Sequence, residues 1–335
     1  MLYKYCQWKD VKKILVDSTL FFNTVDRFND PFDSYPEIQG EDVDRDTKRY
    51  VSMLLHNKAY TDSRGVTCFS KDCGSIPMWS HYACNHEGAC FEFDLSVESK
   101  KFCDMLGIKD NIDVGEVKYK QYYDRCKLNL KSIKYDFLFE KAESWQYEKE
   151  VRCVWESNEV KFPKVAKFRK SYLKQIFLGT NSKLDDLLYV YSWVKRSNSD
   201  IKISVMTLSD NDYLLIPKNL TKDKLERLTE NLATIRKLLC DVKHGNLAIE
   251  QLMLIPNGIL YRYCTSIFTE TLKMDVTGKL FKTFKFVFRW LEACLQKELN
   301  CDEDFVEIWE NTLMNVEVEN FENSGGIDFL EESRL

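Results

Sequence analysis

Ala89-Cys90-Phe91-Glu92-Phe93-Asp94-Leu95 follows Gly88 with a period of two. Ala89, Phe91, Phe93 and Leu95 fall on one face and Cys90, Glu92 and Asp94 on the other, which predicts a half-buried β-strand. The flanking chain decides what sheet receives it. Upstream, residues 2–5, 20–22 and 66–70 read as strands, and Trp8, Val11, Ile14 and Leu15 recur at helical spacing. Asn29-Asp30-Pro31 is a turn, because Asn and Asp bond their own backbone and Pro presets φ. Ser75 stands where it can cap a helix that has Pro77 in its first turn and runs through Trp79 to about Cys84. Downstream, a helix is predicted over 128–143 and strands over 145–155, 172–179 and 201–207. Strands and helices mix without a regular βαβ repeat. This argues against a parallel doubly wound sheet and for an α+β fold with a mixed, mainly antiparallel sheet.

After Ile216-Pro217 the pattern changes. Thr221 can cap a helix that carries Leu225, Leu228, Leu232, Ile235 and Leu239 along one stripe. Helical patterns continue over 247–272, 277–299 and 303–315, with Pro256 kinking or splitting the first of these. The expected organisation is an α+β domain over 1–217, an all-α C-terminal domain over 218–320 and a flexible acidic tail over 321–335.

The 335 residues suffice for a large core and more than one domain. The 44% hydrophobic and 30% charged content is ordinary for a globular chain, and 13% aromatic is high. No apolar run reaches 18 residues and residues 1–5 lack a signal-peptide pattern, so the expectation is a cytoplasmic protein without a membrane partner. Twelve scattered cysteines never form Cys-x-x-Cys, against a paired zinc site and against a secreted disulfide framework. The net charge of −5 is uneven: residues 298–335 hold twelve acidic residues and one basic, leaving 47 basic and 41 acidic before them. The tail is either solvated or docks on a phosphate-binding face.

On a strand over 145–155, Gln146, Glu148, Glu150 and Arg152 would project from one face and Trp145, Tyr147, Val151, Cys153 and Trp155 from the other. Paired carboxylates there repel, so the face needs cationic or hydroxyl partners. The alternatives are a solvent-facing strand, or a helix with a Glu148–Arg152 pair at i,i+4. Trp79 and Tyr82 share one helix surface with His81 beside them, and either clamp a flat ring or plug the core. His81, Cys84, His86 and Cys90 fit no common zinc spacing, so no metal is expected. Lys161, Lys164, Lys167, Arg169, Lys170 and Lys174, interleaved with Phe162, Phe168 and Tyr172, either track a phosphate backbone or form a solvated face. Phosphate-loop, dinucleotide-fingerprint, serine-elbow and His-Glu-x-x-His motifs are absent.

Leu2-Tyr3-Lys4-Tyr5, Asn29-Asp30-Pro31-Phe32-Asp33, Cys68-Phe69-Ser70, Met78-Trp79-Ser80-His81-Tyr82-Ala83, Gly88 with Phe91-Glu92-Phe93-Asp94, Trp145-Gln146-Tyr147-Glu148-Lys149-Glu150-Val151-Arg152 and Leu173-Lys174-Gln175-Ile176-Phe177-Leu178-Gly179 resemble, in this order, the bacterial domain of unknown function 2971. The resemblance covers about residues 1–217. By analogy, the order of blocks is similar to that of NAD-dependent ADP-ribosyltransferases, which carry a polar residue on a first strand, a serine or aromatic motif on a second and a glutamate on a late strand. Here Tyr3 and Lys4, Ser70, and Glu148 with Glu150 hold those places. Departures are Lys4 where many transferases have Arg or His, and the lack of a Ser-Thr-Ser block.

The resemblance implies NAD as substrate, Glu150 with Glu148 as catalytic carboxylates, and cofactor contacts from Tyr3, Lys4, Arg27, Ser70, Trp79, His81, Tyr82, Tyr147 and Arg152. It implies a toxin or anti-phage effector that modifies a nucleic-acid or protein acceptor and is held by an antitoxin or regulatory protein. A non-catalytic nucleotide- or partner-binding module and a nuclease are the alternatives.

Overall fold

The computed structural model describes residues 1–30, 32–33, 44–47, 62–109, 111–121, 135–197, 199–209, 211–226 and 229–230. Among them, the strands are β1 (Leu2–Cys6), β2 (Thr19–Phe22), β3 (Arg64–Ser70), β4 (Ala89–Phe93), β5 (Ile112–Glu116), β6 (Lys118–Lys120), β7 (Glu140–Ala142), β8 (Glu150–Glu156), β9 (Lys164–Lys167), β10 (Leu173–Leu178), β11 (Lys202–Leu208) and β12 (Leu215–Asn219). The α-helices named here are α1 (Trp8–Asp17), α2 (Ile76–Tyr82), α3 (Ser99–Leu106) and α4 (Leu184–Ser197). Eight strands form one sheet in the order β12-β11-β10-β4-β1-β3-β8-β5, while β2 with β9 and β6 with β7 form two small pairs. Within the large sheet only β10 and β11 run parallel, and α4 lies between them in the chain. That is one βαβ unit inside an otherwise antiparallel sheet, because parallel neighbours need a crossover and antiparallel ones do not. The α+β, mainly antiparallel expectation therefore holds.

Alternation assigned one face of β4 to solvent, and the structure corrects this. Tyr5 and Cys90 are directly paired, and they pack with Phe177, Met206 and Leu215 against Met78 and Trp79 of α2. On the opposite face Phe69 meets Phe93 and Phe102 edge-on, with ring centroids 5.8 and 5.5 Å apart. A central strand covered on both faces has no dry-and-wet alternation for the sequence to display. Glu92 is the one residue of β4 that stays partly exposed.

Helix α4 is absent from the sequence reading. It buries Leu187, Val190, Tyr191 and Val194, at i, i+3, i+4 and i+7. Asp185 and Asp186 in its first turn and Lys195 and Arg196 in its last complement its dipole. Within the described part of 128–143, the chain forms a 3-10 turn (Tyr135–Phe139) and then β7 rather than α-helix. Backbone contacts divide the chain into Met1–Leu220 and Thr221–Leu335. The expected boundary at Pro217 falls inside β12, an edge strand, where the missing N–H of proline is tolerated. Thr221 does cap a helical turn, its Oγ1 accepting the Lys224 N–H at 3.2 Å. The remainder of the expected helical domain and the acidic tail lie outside the described residues. Among those described, no helix is long and apolar enough to cross a membrane.

The turn after α2 is held by the end of β10, the strand next to β4. Gly179 N–H donates to the Gly88 carbonyl at 3.0 Å, and a Cβ on Gly179 would sit on the backbone carbonyl of His86. Gly179→Ala should therefore cost about 3 kcal/mol or more, the upper end of the range for forced overpacking, because the clash is with backbone. Gly107→Ala, at φ +68° with open space around it, should cost only about 1–2 kcal/mol for its left-handed backbone. Urea midpoints of the two variants give the comparison, and the order should be unmistakable.

Candidate active site

The two glutamates come together by a route other than the one alternation suggests. Glu143–Glu148 is a 3-10 turn, Lys149 takes a left-handed conformation (φ 44°, ψ 48°), and β8 begins only at Glu150. Gln146 is exposed, and Glu148 and Glu150 are buried. The turn folds Glu148 back over the end of the strand, where its carbonyl accepts the Ser70 hydroxyl at 2.7 Å. Ser75 holds the N-cap position of α2, but its hydroxyl donates to the Tyr147 carbonyl at 3.3 Å, tying the helix to this turn.

Arg152, only 1% exposed, organises the cluster. Its Nε and Nη2 donate to the two oxygens of Glu150 at 2.9 and 3.0 Å. Nη1 and Nη2 donate to the two oxygens of Asp33 at 2.7 and 2.6 Å, and Nη1 also donates to the Leu138 carbonyl at 2.7 Å. Asp33 is delivered by the turn read from Asn29-Asp30, in which the Asp30 side chain accepts the Phe32 N–H at 2.9 Å. Lys141 of β7 touches all three acids: Glu148 at 2.6 Å, Asp33 at 3.5 Å and Glu150 at 3.7 Å. The second oxygen of Glu148 accepts the Tyr82 phenol at 2.5 Å, and the Asn29 amide donates to that phenol at 3.2 Å. Tyr119 accepts the backbone N–H of Glu150 at 2.8 Å.

Among the described residues, this sets three buried carboxylates against two buried cations. The imbalance separates the two glutamates. Burial raises the Glu148 carboxyl and the charge of Glu150 raises it further, against the opposing pull of Lys141 and Tyr82. Burial works on Glu150 in the same direction, but the Arg152 charge and hydrogen bonds, helped by Lys141, take it down to about 2. Burial and the Glu148 charge hold the Tyr82 phenol up, so it remains a donor. Divergent acidities in one pair of carboxylates mark a candidate active site.

An aromatic tier borders the cluster. Tyr147 lies 6.2 Å from His81 and 6.0 Å from Trp145, with interplanar tilts of 31° and 38°. Lys141 Nζ sits 4.5 Å from the Trp145 ring centroid. His81 is exposed, and Tyr82, Tyr147 and Trp145 are half-buried.

Of the residues assigned from sequence, Glu148, Glu150, Arg152, Ser70, His81, Tyr82 and Tyr147 gather here. Trp79 does not wall the site: it is fully buried, edge-on to Tyr5 at 5.3 Å, with its indole N–H donating to the Cys73 carbonyl at 2.7 Å. Lys4 points to the other face of the sheet from Tyr3, bonding Thr67 Oγ1 at 3.2 Å and the Cys68 carbonyl at 2.8 Å. Tyr3 donates to Glu92 at 3.3 Å rather than meeting the glutamate pair. Arg27 is exposed at the end of a short 3-10 turn. Sequence reasoning gave no role to Asp33, Lys141, Trp145, Asn29 or Tyr119. The Asn29-Asp30-Pro31-Phe32-Asp33 block carried a signal for Asn29 and Asp33, and the Trp145–Arg152 block one for Trp145, read there as packing.

In the basic run, Lys161, Lys164, Lys167, Arg169, Lys170 and Lys174 are exposed, whereas Phe162 and Phe168 are buried. Among the described residues no three His, Cys, Asp or Glu side chains are placed to hold a metal ion.

Glu150→Gln removes one partner of a buried ion pair and should destabilise the protein by about 3–5 kcal/mol. The sign with pH follows from its lowered pKa. The stabilisation is present above the ordinary value of 4.5 and is lost as pH falls toward about 2. Urea unfolding of the wild type should weaken across that acid window, and Glu150→Gln should flatten this part of the profile.

Residues 78–153 match the model of a family described as protein of unknown function (DUF2971). No curated protein and no solved structure matches the chain. The matched segment begins within α2 and contains β4, Lys141, the Glu143–Glu148 turn and the start of β8, while Tyr3, Asn29, Asp33 and Ser70 precede it. The chain is thus similar to this family over the segment that supplies most of the candidate site.

Proposed function

We propose that this protein is an NAD-dependent ADP-ribosyltransferase-like enzyme, with Glu148 and Tyr82 at its reactive centre. The observation that carries the reading is the buried Glu148–Glu150 pair, with one negative charge in excess, directly behind a half-exposed aromatic tier. Breaking the nicotinamide–ribose bond builds positive charge on the sugar, as in glycoside hydrolysis. A fixed negative field in a water-poor site stabilises that charge without reorganisation. Tyr147 and Trp145 offer ring faces to the cationic pyridinium of NAD.

The roles differ from those the resemblance suggested. Glu150 has both oxygens on Arg152 and serves as the counter-ion that fixes the guanidinium. Glu148, its carboxyl held above the ordinary range by burial and the Glu150 charge, is the better proton acceptor of the pair and acts through the Tyr82 phenol, which meets the ligand first. As the C–N bond breaks, its electron pair leaves with nicotinamide, and the acceptor attacks the anomeric carbon as Glu148 takes the acceptor's proton by way of Tyr82. A nucleic-acid acceptor could be held by the exposed basic run at 161–174. A toxin or anti-phage role, with an antitoxin as partner, belongs to this reading.

A second reading is favoured by the depth of burial: Glu148 is 2% and Glu150 5% exposed. The same centre would then bind a nucleotide without turning it over. Nicotinamide release from NAD separates the two. In an enzyme, Tyr82→Phe and Glu148→Gln should each lower kcat about 10²-fold, while Tyr147→Ala should raise KM about tenfold for the lost stacking. Saturable NAD binding without release in the wild type would establish the binding module instead.

A further inference from the structure

One polar row crosses the sheet beside this centre. From Glu150 the backbone register passes to Ser70, from Ser70 to Tyr3, from Tyr3 to Glu92 and from Glu92 to Gln175. Directly paired residues on neighbouring strands project to the same face, so these side chains line up. The next row along, at Tyr5, Cys90 and Phe177, is packed under α2. We infer that the Glu92 end of the polar row is a binding subsite for a vicinal diol, the 2′,3′-hydroxyl pair of a ribose.

The argument rests on which atoms are committed and which are open. Tyr3 donates to one oxygen of Glu92, and no ion pair engages that carboxylate among the described residues. The Gln175 amide nitrogen donates to Ser204 Oγ at 2.6 Å and to Asn219 Oδ1 at 3.0 Å, and Ser204 in turn donates to Asn219 at 2.7 Å. This network commits the amide nitrogen and leaves the amide oxygen without a protein donor among the described residues. A half-exposed carboxylate beside a fixed carbonyl oxygen presents acceptors only, so the ligand must bring donors. A carboxylate that accepts from two adjacent hydroxyls is the ordinary recognition of a ribose diol. Glu92 lies three strands from Glu150, about 14 Å at the usual spacing. That separation suits the second ribose of a dinucleotide, so the inference deepens the NAD reading, but its test needs no turnover.

Adenosine, 2′-deoxyadenosine and 3′-deoxyadenosine are titrated into the full-length protein by calorimetry, with saturation-transfer NMR for weak binding. Adenosine should bind about tenfold more tightly than either deoxynucleoside, the usual consequence of losing a hydrogen bond to a charged group. Glu92→Gln should shrink this ratio and Glu92→Ala should abolish it. The wild-type comparison stands even where a variant fails to fold. Absence of adenosine binding, equal affinity for the three nucleosides, or a ratio unchanged in a folded Glu92 variant would each overturn the proposal. Discrimination without nicotinamide release from NAD would instead fail the enzymatic reading and leave the subsite in place.

Discussion

A guanidinium removed from water organises the centre of this protein. Arg152 is fully buried, and each of its five N–H donors finds an acceptor in Glu150, Asp33 or the Leu138 carbonyl. An unpaired buried charge costs several kcal/mol, far more than a formed pair contributes, so the arrangement acts mainly as a constraint. It fixes where three separate segments must go: the turn that ends at Asp33, the 3-10 segment that carries Leu138, and the first residue of β8. The Phe28 ring, with the guanidinium carbon 5.3 Å from its centroid, closes the same group.

Satisfying the N–H donors of Arg152 takes two carboxylates, one more negative charge than the guanidinium balances, and this sets the charge of everything around it. Lys141 lies among Asp33, Glu148 and Glu150 and cannot balance all three. The residual negative charge falls on the member that Arg152 does not hold. That member is Glu148, whose acidity is weakened while that of Glu150 is strengthened. Structural and reactive carboxylates are thus distinguished by their cation, and not by position in the Glu-x-Glu motif.

The sequence displayed the elements that present one face to the core. The helix at Trp8–Asp17 shows Val11, Ile14 and Leu15, and the strands at β1, β3, β10 and β11 were legible within a residue or two. It misled where both faces are covered, as at Cys90, and where the chain turns without glycine, as at Lys149 (φ 44°). A lysine in left-handed conformation leaves no signature in alternation, so the chain from Trp145 to Trp155 looked continuous. For the site, Glu148, Glu150 and Arg152 were found because like charges two apart demand partners, and Tyr82 because it shares a helix surface beside His81. Of the partners themselves, Asp33 is 119 residues from Arg152, in a block read only as a turn, and Lys141, seven residues before Glu148, was read as part of a helix over 128–143. Trp79 was misplaced for a related reason: spacing puts it on a surface with Tyr82, but only packing decides that its indole plugs the core.

The division of the sheet face into an apolar row and a polar row follows from the size of its cover. Helix α2 has seven residues, about 10 Å of helix, or roughly two strand spacings. Met78 and Trp79 can bury the row through Tyr5, Cys90 and Phe177, and there the helix ends. The polar row crosses five strands, from Glu150 to Gln175, too long for the same helix to seal. At the Glu150 end Arg152 and Lys141 satisfy its acids internally, so burial is tolerable. At the Glu92 end no such cation pairs with the carboxylate among the described residues, and a fully covered carboxylate would be costly there. The partial exposure of Glu92, Tyr3 and Gln175 is the consequence of that charge balance. A longer α2 would demand either a new cation or an apolar residue at position 92.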